Sequence, residues 1–214
     1  GYEEIPSWIM QGYGTMANEA ADQLRQCGVN RPTHVFVQAG VGSLAGAVVG
    51  YFTNLFPNDP PKFVVMEARA ADCLYQGALA ADGKPRIVTG DLQTIMAGLA
   101  CGEPNTISWD ILRNHVSAFI SCPDWVSAKG MRMLGVPVKG DPTVISGESG
   151  AVGMGCLDAI MCDDTYKELR DALELNRFSQ VLMFSTEGNT DPLKFRRVIW
   201  DGEYPTTETP QKPY

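Results

Sequence analysis

Histidine, basic charge and long apolar runs are all scarce in this sequence of 214 residues, and each shortage excludes a class of protein. The 17 Lys and Arg residues stand against 25 Asp and Glu, and no basic cluster is present that could follow nucleic-acid phosphates. Gly, Pro or a charged residue interrupts every apolar stretch before it reaches membrane-spanning length. Residues 1–5 include acids instead of the basic start of an export signal. We therefore expect a cytoplasmic protein that binds neither nucleic acid nor membrane.

Zinc-binding patterns are also missing from the sequence. The six cysteines include no Cys-x-x-Cys pair, so they are expected to be free and mostly buried thiols. The two histidines, His34 and His115, fall at a strand start and on a predicted helix. A structural role is expected for both.

Short apolar segments alternate with segments of helical composition along the chain. This pattern predicts an α/β fold, a three-layer αβα arrangement with a mainly parallel sheet covered on both faces. The domain is expected to span residues 1–200, and the proline- and threonine-rich tail at 201–214 is expected to be loosely held. Strands are predicted over His34–Gln38, 62–66, 143–146 and 180–184. Helices are predicted over 16–27, Ser43–Leu55, 70–81, 94–100, 109–119, 124–133 and 164–175.

Three of the predicted strands run into loops of unusual composition: AGVGSLAG at 39–46, SGESGAVG at 146–153 and STEGNTD at 185–191. Ligands of open parallel sheets bind beyond the carboxyl ends of the strands, so these loops are expected to meet at one site. The first loop offers backbone N–H groups at 41–44 to an anion, at the positive end of a helix. A tight turn with packing glycines is the alternative.

A dinucleotide is one candidate for that anion. The glycines at 40, 42 and 46 are spaced one residue too far apart for the Gly-x-Gly-x-x-Gly fingerprint, although Glu67 ends the next strand, where a ribose-binding acid would lie. A nucleotide-binding oxidoreductase domain and a non-catalytic module for a phosphate ligand therefore both stay open as alternatives.

Taken together, the motifs resemble the pyridoxal-phosphate enzymes of fold type II, which include the threonine and serine dehydratases, serine racemase and the tryptophan synthase β-subunit. The stretches IMQGYGTMANEAADQL, AGVGSLAG, TIMAGLACGEPN and STEGNTD carry the likeness. A closer resemblance, through MEARAADCLYQGA and RRVIWDGEYP, is to the diaminopropionate ammonia-lyase family. It implies the large domain of a fold type II enzyme that eliminates ammonia from 2,3-diaminopropionate to give pyruvate, with a serine or threonine dehydratase as the alternative.

The resemblance also implies a set of residues that bind pyridoxal 5'-phosphate. The phosphate is expected on Gly40, Val41, Gly42, Ser43 and Leu44. Ser185 is expected to contact the pyridine nitrogen, with Thr186 as the alternative, and Glu148 is expected near the ring. A serine hydroxyl is too weak an acid to keep that nitrogen protonated, which favours elimination over transamination.

Other parts of the family pattern are missing. None of the seven lysines has the sequence setting of the family's Schiff-base lysine, and all are expected at the surface. The resemblance implies that this lysine, the acid–base residues and a small mobile domain lie upstream of Gly1. The chain is therefore expected to be half of an enzyme, inactive alone, that forms a homodimer when complete.

No metal is expected, because Cys73 stands where racemase-like relatives have an acid that binds a divalent cation together with residues matching Glu67 and Ala71. Hard cations prefer oxygen ligands. Cys73 and Cys101 are a candidate redox-sensitive pair, with unpaired buried thiols as the alternative.

Overall fold

The computed structural model describes residues 4–206, which form one parallel four-stranded sheet with helices on both faces. The strands are β1 (His34–Gln38), β2 (Lys62–Ala68), β3 (Val116–Cys122) and β4 (Val181–Met183), and their order in the sheet is β3-β2-β1-β4. The helices are α1 (Glu4–Gln26), α2 (Ser43–Leu55), α3 (Cys73–Ala80), α4 (Thr106–His115), α5 (Asp124–Gly135), α6 (Glu148–Cys162), α7 (Lys167–Leu173) and α8 (Pro192–Ile199).

The central strands bury side chains on both faces of the sheet, because neighbouring residues of a strand point in opposite directions. Phe36 of β1 packs into a core shared with α5, α6, α7 and α8. Val35 and Val37 pack into a second core shared with α1, α2, α3 and α4. The predicted three-layer α/β fold with a parallel sheet is therefore confirmed.

Helices α5 and α6 cross with their backbones in direct contact, and glycines make this approach possible. A Cβ placed on Gly130 would lie 2.0 Å from the carbonyl oxygen of Ala151, and one placed on Gly155 would lie 1.9 Å from that of Val126. The prediction of a loop over the glycine-rich run at 146–153 is wrong, because α6 begins at Glu148 and includes most of this run. The glycines that lower its helix propensity are those that the helix contact requires.

Three other predicted elements differ from the structure. The predicted helix at 109–119 ends at His115, and β3 follows at once, because this segment pairs in parallel with β2 over Phe63–Ala68. The segment at 143–146, predicted as a strand, is not part of the sheet that the described residues form. Of the predicted helix at 94–100, only a 3-10 turn at Ala97–Leu99 forms.

Of the remaining elements, β1 and α2 have the predicted bounds and α8 was not predicted, while the others follow the prediction with shifted ends. Helix α1 begins at Glu4, twelve residues before the predicted start, despite Pro6, Gly12 and Gly14 in its sequence. Part of the predicted tail contacts the domain, since the Arg132 guanidinium donates to the backbone carbonyls of Glu203 and Tyr204. The rest of that tail, 207–214, lies outside the described residues.

His34 occupies a structural position, whereas His115 is exposed. His34 is buried, and its Nε2 lies 2.8 Å from the carbonyl oxygen of Leu173, which can only accept, so Nε2 carries the proton. Burial lowers the pKa of His34. His115 is the last residue of α4.

None of the helices within residues 4–206 combines the length and apolar character that crossing a bilayer requires.

Candidate functional site

A cleft of about 560 Å³ opens beyond the carboxyl ends of β1 and β4. It is lined by seven of the eight residues predicted to bind the cofactor; Glu148 is not among them. A cavity of about 580 Å³ beside Thr94 and Asp124 holds none of the predicted residues. The seven are Gly40, Val41, Gly42, Ser43, Leu44, Ser185 and Thr186.

The loop between β1 and α2 presents hydrogen-bond donors to this cleft. Gly42 precedes α2 in a left-handed conformation, with φ 97° and ψ −4°, which turns the chain from the strand into the helix. The N–H groups of Ser43 and Leu44 belong to the first turn of α2, where a helix offers no internal acceptor. With the positive end of the helix dipole behind them, these groups are suited to bind an anion.

Asn105, the residue before α4, fixes this loop from the side. Its backbone N–H donates to the Val41 carbonyl at 2.8 Å, and its side-chain Nδ2 donates to Ser43 Oγ at 2.9 Å. Its Oδ1 accepts from the N–H groups of Ile107 and Ser108 and so caps α4. Because Asn105 donates to Ser43 Oγ, the Ser43 hydroxyl proton is free for a ligand.

Two of the loop glycines allow close contact with neighbouring segments. A Cβ on Gly40 would lie 3.2 Å from the Gly98 carbonyl oxygen, and one on Gly46 would lie 2.9 Å from Ser108 Cβ in α4. Gly46 therefore serves the packing of α2 against α4, so the spacing of the three glycines does not report a dinucleotide site.

The loop after β4 is tied to β1 through Gln38, a buried polar residue at the end of an apolar strand. Its Nε2 donates to the Phe184 carbonyl at 2.9 Å and to Thr186 Oγ1 at 3.0 Å. Ser185 Oγ donates to Ser146 Oγ at 3.0 Å. The loops that follow β1 and β4 and the segment that leads into α6 therefore meet, as the sequence analysis expected.

The amino-terminal end of α6 forms a further wall of the cleft. Ser149 N–H donates to Glu187 Oε1 at 2.8 Å, and Gly147 N–H donates to the Glu187 carbonyl at 3.0 Å. Both Ser149 and Glu187 line the cleft. The Ser149 hydroxyl is buried and has no hydrogen-bond partner among the described residues, which costs about 1–3 kcal/mol relative to a paired group. Glu148 is partly buried, and its carbonyl accepts from Ser127 Oγ on α5.

Beside the cleft, Glu67 and Cys73 occupy buried positions with structural contacts. The Glu67 oxygens accept from the N–H groups of Leu74 and Tyr75 at 2.9 and 2.6 Å, and burial raises the pKa of Glu67 to about 8. Within residues 4–206, no three His, Cys, Asp or Glu side chains gather into a metal-binding group. The absence of a metal stays a prediction.

The described cysteines are all free thiols. Cys73 Sγ lies 3.7 Å from the carbonyl oxygen of Cys101, a residue of the cleft wall. Burial and the neighbouring Glu67 raise the pKa of the Cys73 thiol to about 12, which disfavours the reactive thiolate. Whether Cys73 and Cys101 form a redox pair stays untested.

Lysine is missing from the cleft wall formed by the described residues. Several lysines form ion pairs elsewhere: Lys62 with Glu174, Lys129 with Asp158 and Lys167 with Asp171. Lys194 borders the cavity beside Asp124. The described residues therefore bring no amine to the cleft that could form a Schiff base with an aldehyde.

Sequence reasoning missed four residues of the cleft or its support: Gln38, Asn105, Ser149 and Glu187. A signal existed for two of them. Gln38 is a polar residue that ends an apolar strand, and Asn105 stands where a helix cap is favoured. Ser149 and Glu187 carry no local signal, because they reach the cleft only through the packing of α6 against the loop after β4.

The residues of the cleft fit pyridoxal phosphate. Unpaired N–H groups at the start of α2 suit its phosphate, the exposed Ser185 hydroxyl suits its ring nitrogen, and the unpaired Ser149 hydroxyl leaves one buried polar atom for a ligand. A three-layer parallel fold with these features defines an enzyme class that uses this cofactor. The model of the pyridoxal-phosphate-dependent enzyme family matches residues 2–168, and the chain belongs to that family.

Within the family, the chain is similar to diaminopropionate ammonia-lyases. It is 51% identical over 203 residues to that of Salmonella typhimurium, which covers 94% of this chain and 50% of the relative. It is 50% identical over 204 residues to that of Escherichia coli, over 95% of this chain and 50% of the relative. The chain thus spans about half the length of the curated relatives it matches.

Solved structures of related enzymes also superpose on this chain. The Escherichia coli diaminopropionate ammonia-lyase in complex with D-serine superposes with a TM-score of 0.86 and 46% identity, over 96% of this chain and 50% of that one. Maize serine racemase superposes with a TM-score of 0.67 at 21% identity, over 90% of this chain and 54% of that one. The second likeness shows the fold alone, and it agrees with fold type II.

Proposed function

We propose that the complete protein is an ammonia-lyase that converts 2,3-diaminopropionate and water into pyruvate and two molecules of ammonia. The observation that carries this proposal is the 51% identity to a diaminopropionate ammonia-lyase across 94% of the chain. The dehydratase and racemase folds share far less of the sequence, at 18–21% identity. We therefore favour the diamino acid over serine or threonine as substrate.

In this proposal the chain holds and polarises the cofactor. Gly40, Val41, Gly42, Ser43 and Leu44 bind its phosphate through backbone N–H groups and the Ser43 hydroxyl. When bound, the cofactor supplies an electron-withdrawing ring that stabilises negative charge at the α-carbon of the substrate.

The loop after β4 acts on the ring of the cofactor. Ser185 donates to the ring nitrogen. The hydrogen bond from Gln38 to Thr186 holds this loop against the carboxyl end of β1. Glu148, at the first turn of α6 and partly buried, stays a proposed neighbour of the ring.

The remaining groups come from outside the chain. Because the described cleft wall holds no lysine, we propose that the Schiff-base lysine and the acid–base residues belong to the part of the protein that this chain does not contain. We also propose that the complete protein is a cytoplasmic homodimer, in which residues 1–200 form the cofactor domain and 201–214 a tail. These last points rest on the resemblance to the family.

The test is an assay of the complete protein, purified with pyridoxal phosphate, against 2,3-diaminopropionate, serine and threonine. Pyruvate is followed through lactate dehydrogenase and ammonia through glutamate dehydrogenase. We expect two ammonia molecules per pyruvate, and a kcat/KM for the diamino acid well above that for the hydroxy amino acids. A higher kcat/KM for serine or threonine would replace the proposal with a dehydratase, and no release from any substrate would refute it.

The role of Ser185 gives a second prediction. Ser185→Ala is expected to lower kcat by about three- to tenfold, because the ring loses a hydrogen-bond donor. The affinity for the cofactor should change little, because Ser185 already has Ser146 Oγ as a partner at 3.0 Å without a ligand, so its bond to the ring replaces another bond. Steady-state kinetics and a cofactor titration separate the two quantities.

Thr190→Val is the matched control for Ser185→Ala, since it removes a hydroxyl from the same loop at an exposed position outside the cleft lining. It should leave kcat near the wild-type value. If Thr186→Val lowers kcat and Ser185→Ala does not, Thr186 is the ring contact and the assignment of Ser185 is wrong.

A further inference from the structure

Ser149 combines deep burial with an unsatisfied hydroxyl inside the cofactor cleft. The residue is 4% exposed, and its Oγ has no hydrogen-bond partner within residues 4–206. Its backbone N–H is already held by Glu187. A buried hydroxyl without a partner costs free energy, so a protein that keeps one in a binding cleft gains from a ligand that completes it.

The contacts around Ser149 place its hydroxyl near the loop after β4, where we propose that the cofactor ring lies. A Cβ on Gly98 would lie 3.0 Å from Ser149 Oγ, so the segment at 98–101 passes directly beside it. The next residue, Gly150, packs against the loop after β4, because its Cβ position is 3.4 Å from Ser185 Cα. Ser149 therefore lies beside the loop after β4, which carries the proposed ring contact Ser185. The phosphate donors lie on a different loop, the one between β1 and α2.

Local structure does not explain the hydroxyl. A serine in the first turn of a helix normally satisfies itself by bonding a nearby backbone group, and Ser149 does not. The amino-terminal end of α6 already has an acceptor in the Glu187 carboxylate, so the Ser149 hydroxyl is not needed as a cap. Because Ser149 lines the cleft, a ligand bound there is the group we expect to complete its hydroxyl.

We propose that Ser149 Oγ donates a hydrogen bond to an acceptor on the ring of bound pyridoxal phosphate, and not to the phosphate. This rests on the proposed function of the cleft as the cofactor site. Since Ser149 breaks no existing bond to reach the ligand, its contribution to cofactor affinity should exceed that of Ser185, which gives up Ser146.

The test uses the complete protein in its apo form, with the variants Ser149→Ala and Thr53→Val. Thr53 is the matched control, because Thr53 Oγ1 on α2 is also buried without a partner but does not line the cleft. Three quantities are measured: the urea midpoint of the apo protein, the dissociation constant of pyridoxal phosphate from its absorbance, and that of inorganic phosphate from competition.

For Ser149→Ala, we expect the cofactor to bind about three- to tenfold more weakly, the range for one net hydrogen bond. The urea midpoint of the apo protein should stay unchanged or rise, because the variant removes an unsatisfied group. The affinity for inorganic phosphate should not change, and the absorption band of the bound cofactor should shift. Thr53→Val should likewise leave the urea midpoint of the apo protein unchanged or raise it. It should leave cofactor affinity at the wild-type value.

Three results would overturn the inference. The first is an unchanged dissociation constant for the cofactor in Ser149→Ala. The second is an equal loss of affinity for inorganic phosphate, which would assign the contact to the phosphate. The third is a fall in the urea midpoint without a change in cofactor binding, which would make the hydroxyl structural. Failure of the wild-type protein to bind the cofactor or to release pyruvate would instead refute the proposed function, independently of Ser149.

Discussion

Gly155→Ala is expected to prevent the protein from accumulating in folded form. The new Cβ would lie 1.9 Å from the Val126 carbonyl oxygen, and the obstacle is backbone, which no side-chain rotation can remove. Helices α5 and α6 would have to separate, and the core that both share with Phe36 and Met66 would open. We expect a loss of more than about 4 kcal/mol in the free energy of unfolding, beyond the usual range for a core substitution.

The matched control is Gly50→Ala, the same change within helix α2. A Cβ on Gly50 would be 3.9 Å from Ile111 Cδ1, an ordinary contact, so the higher helix propensity of alanine should stabilise the protein by up to about 1 kcal/mol. Soluble yield and urea denaturation of the complete protein measure both effects. A Gly155→Ala protein with a wild-type urea midpoint would show that the two helices do not make this contact.

Gly42→Ala is expected to weaken binding of pyridoxal phosphate by about ten- to a hundredfold. A residue with a Cβ disfavours the left-handed φ of 97° by about 1–2 kcal/mol, and the new methyl group would lie 3.3 Å from Leu74 Cδ1 and Leu112 Cδ1. The turn would relax by rotating the peptide groups that orient the N–H groups of Ser43 and Leu44. Cofactor titration of the apo protein measures the loss.

Gly28→Ala separates this effect from general strain. Gly28 has a φ of 77° and open space around its Cβ position, and it lies outside the cleft lining. Its alanine variant should therefore lose about 1 kcal/mol of stability and keep wild-type cofactor affinity. Equal loss of affinity in both variants, or none in Gly42→Ala, would mean that the geometry of this loop does not determine binding.

The part of the fold that sequence predicted best is the unit from β1 to α2, with bounds that match those of the structure. Every signal there is local: an apolar run, a glycine that can adopt a positive φ, and apolar residues at helical spacing. The loop that we propose binds the phosphate lies inside this unit. It could therefore be recognised without knowledge of the rest of the sheet.

Long-range contacts explain what could not be predicted. β3 is a strand because β2 lies beside it, and the helical composition of 109–119 hides that pairing. Helix α6 forms although Gly150, Gly153 and Gly155 all disfavour a helix, because α5 must approach its backbone. Ser149 and Glu187 become part of the cleft through the same packing, so local sequence could not reveal them.

The bonds around Asn105 give the cleft an electrical polarity. Its amide donates to Ser43 Oγ, so the hydroxyl of Ser43 and the first N–H groups of α2 all present hydrogen atoms at this end. The Glu187 carboxylate also lines the cleft, with Oε1 held by Ser149 N–H. A molecule with a phosphate at one end and amines near the other experiences attraction at both ends in one orientation and repulsion in the reverse. The cleft thus selects the direction in which its occupant enters as well as the occupant itself.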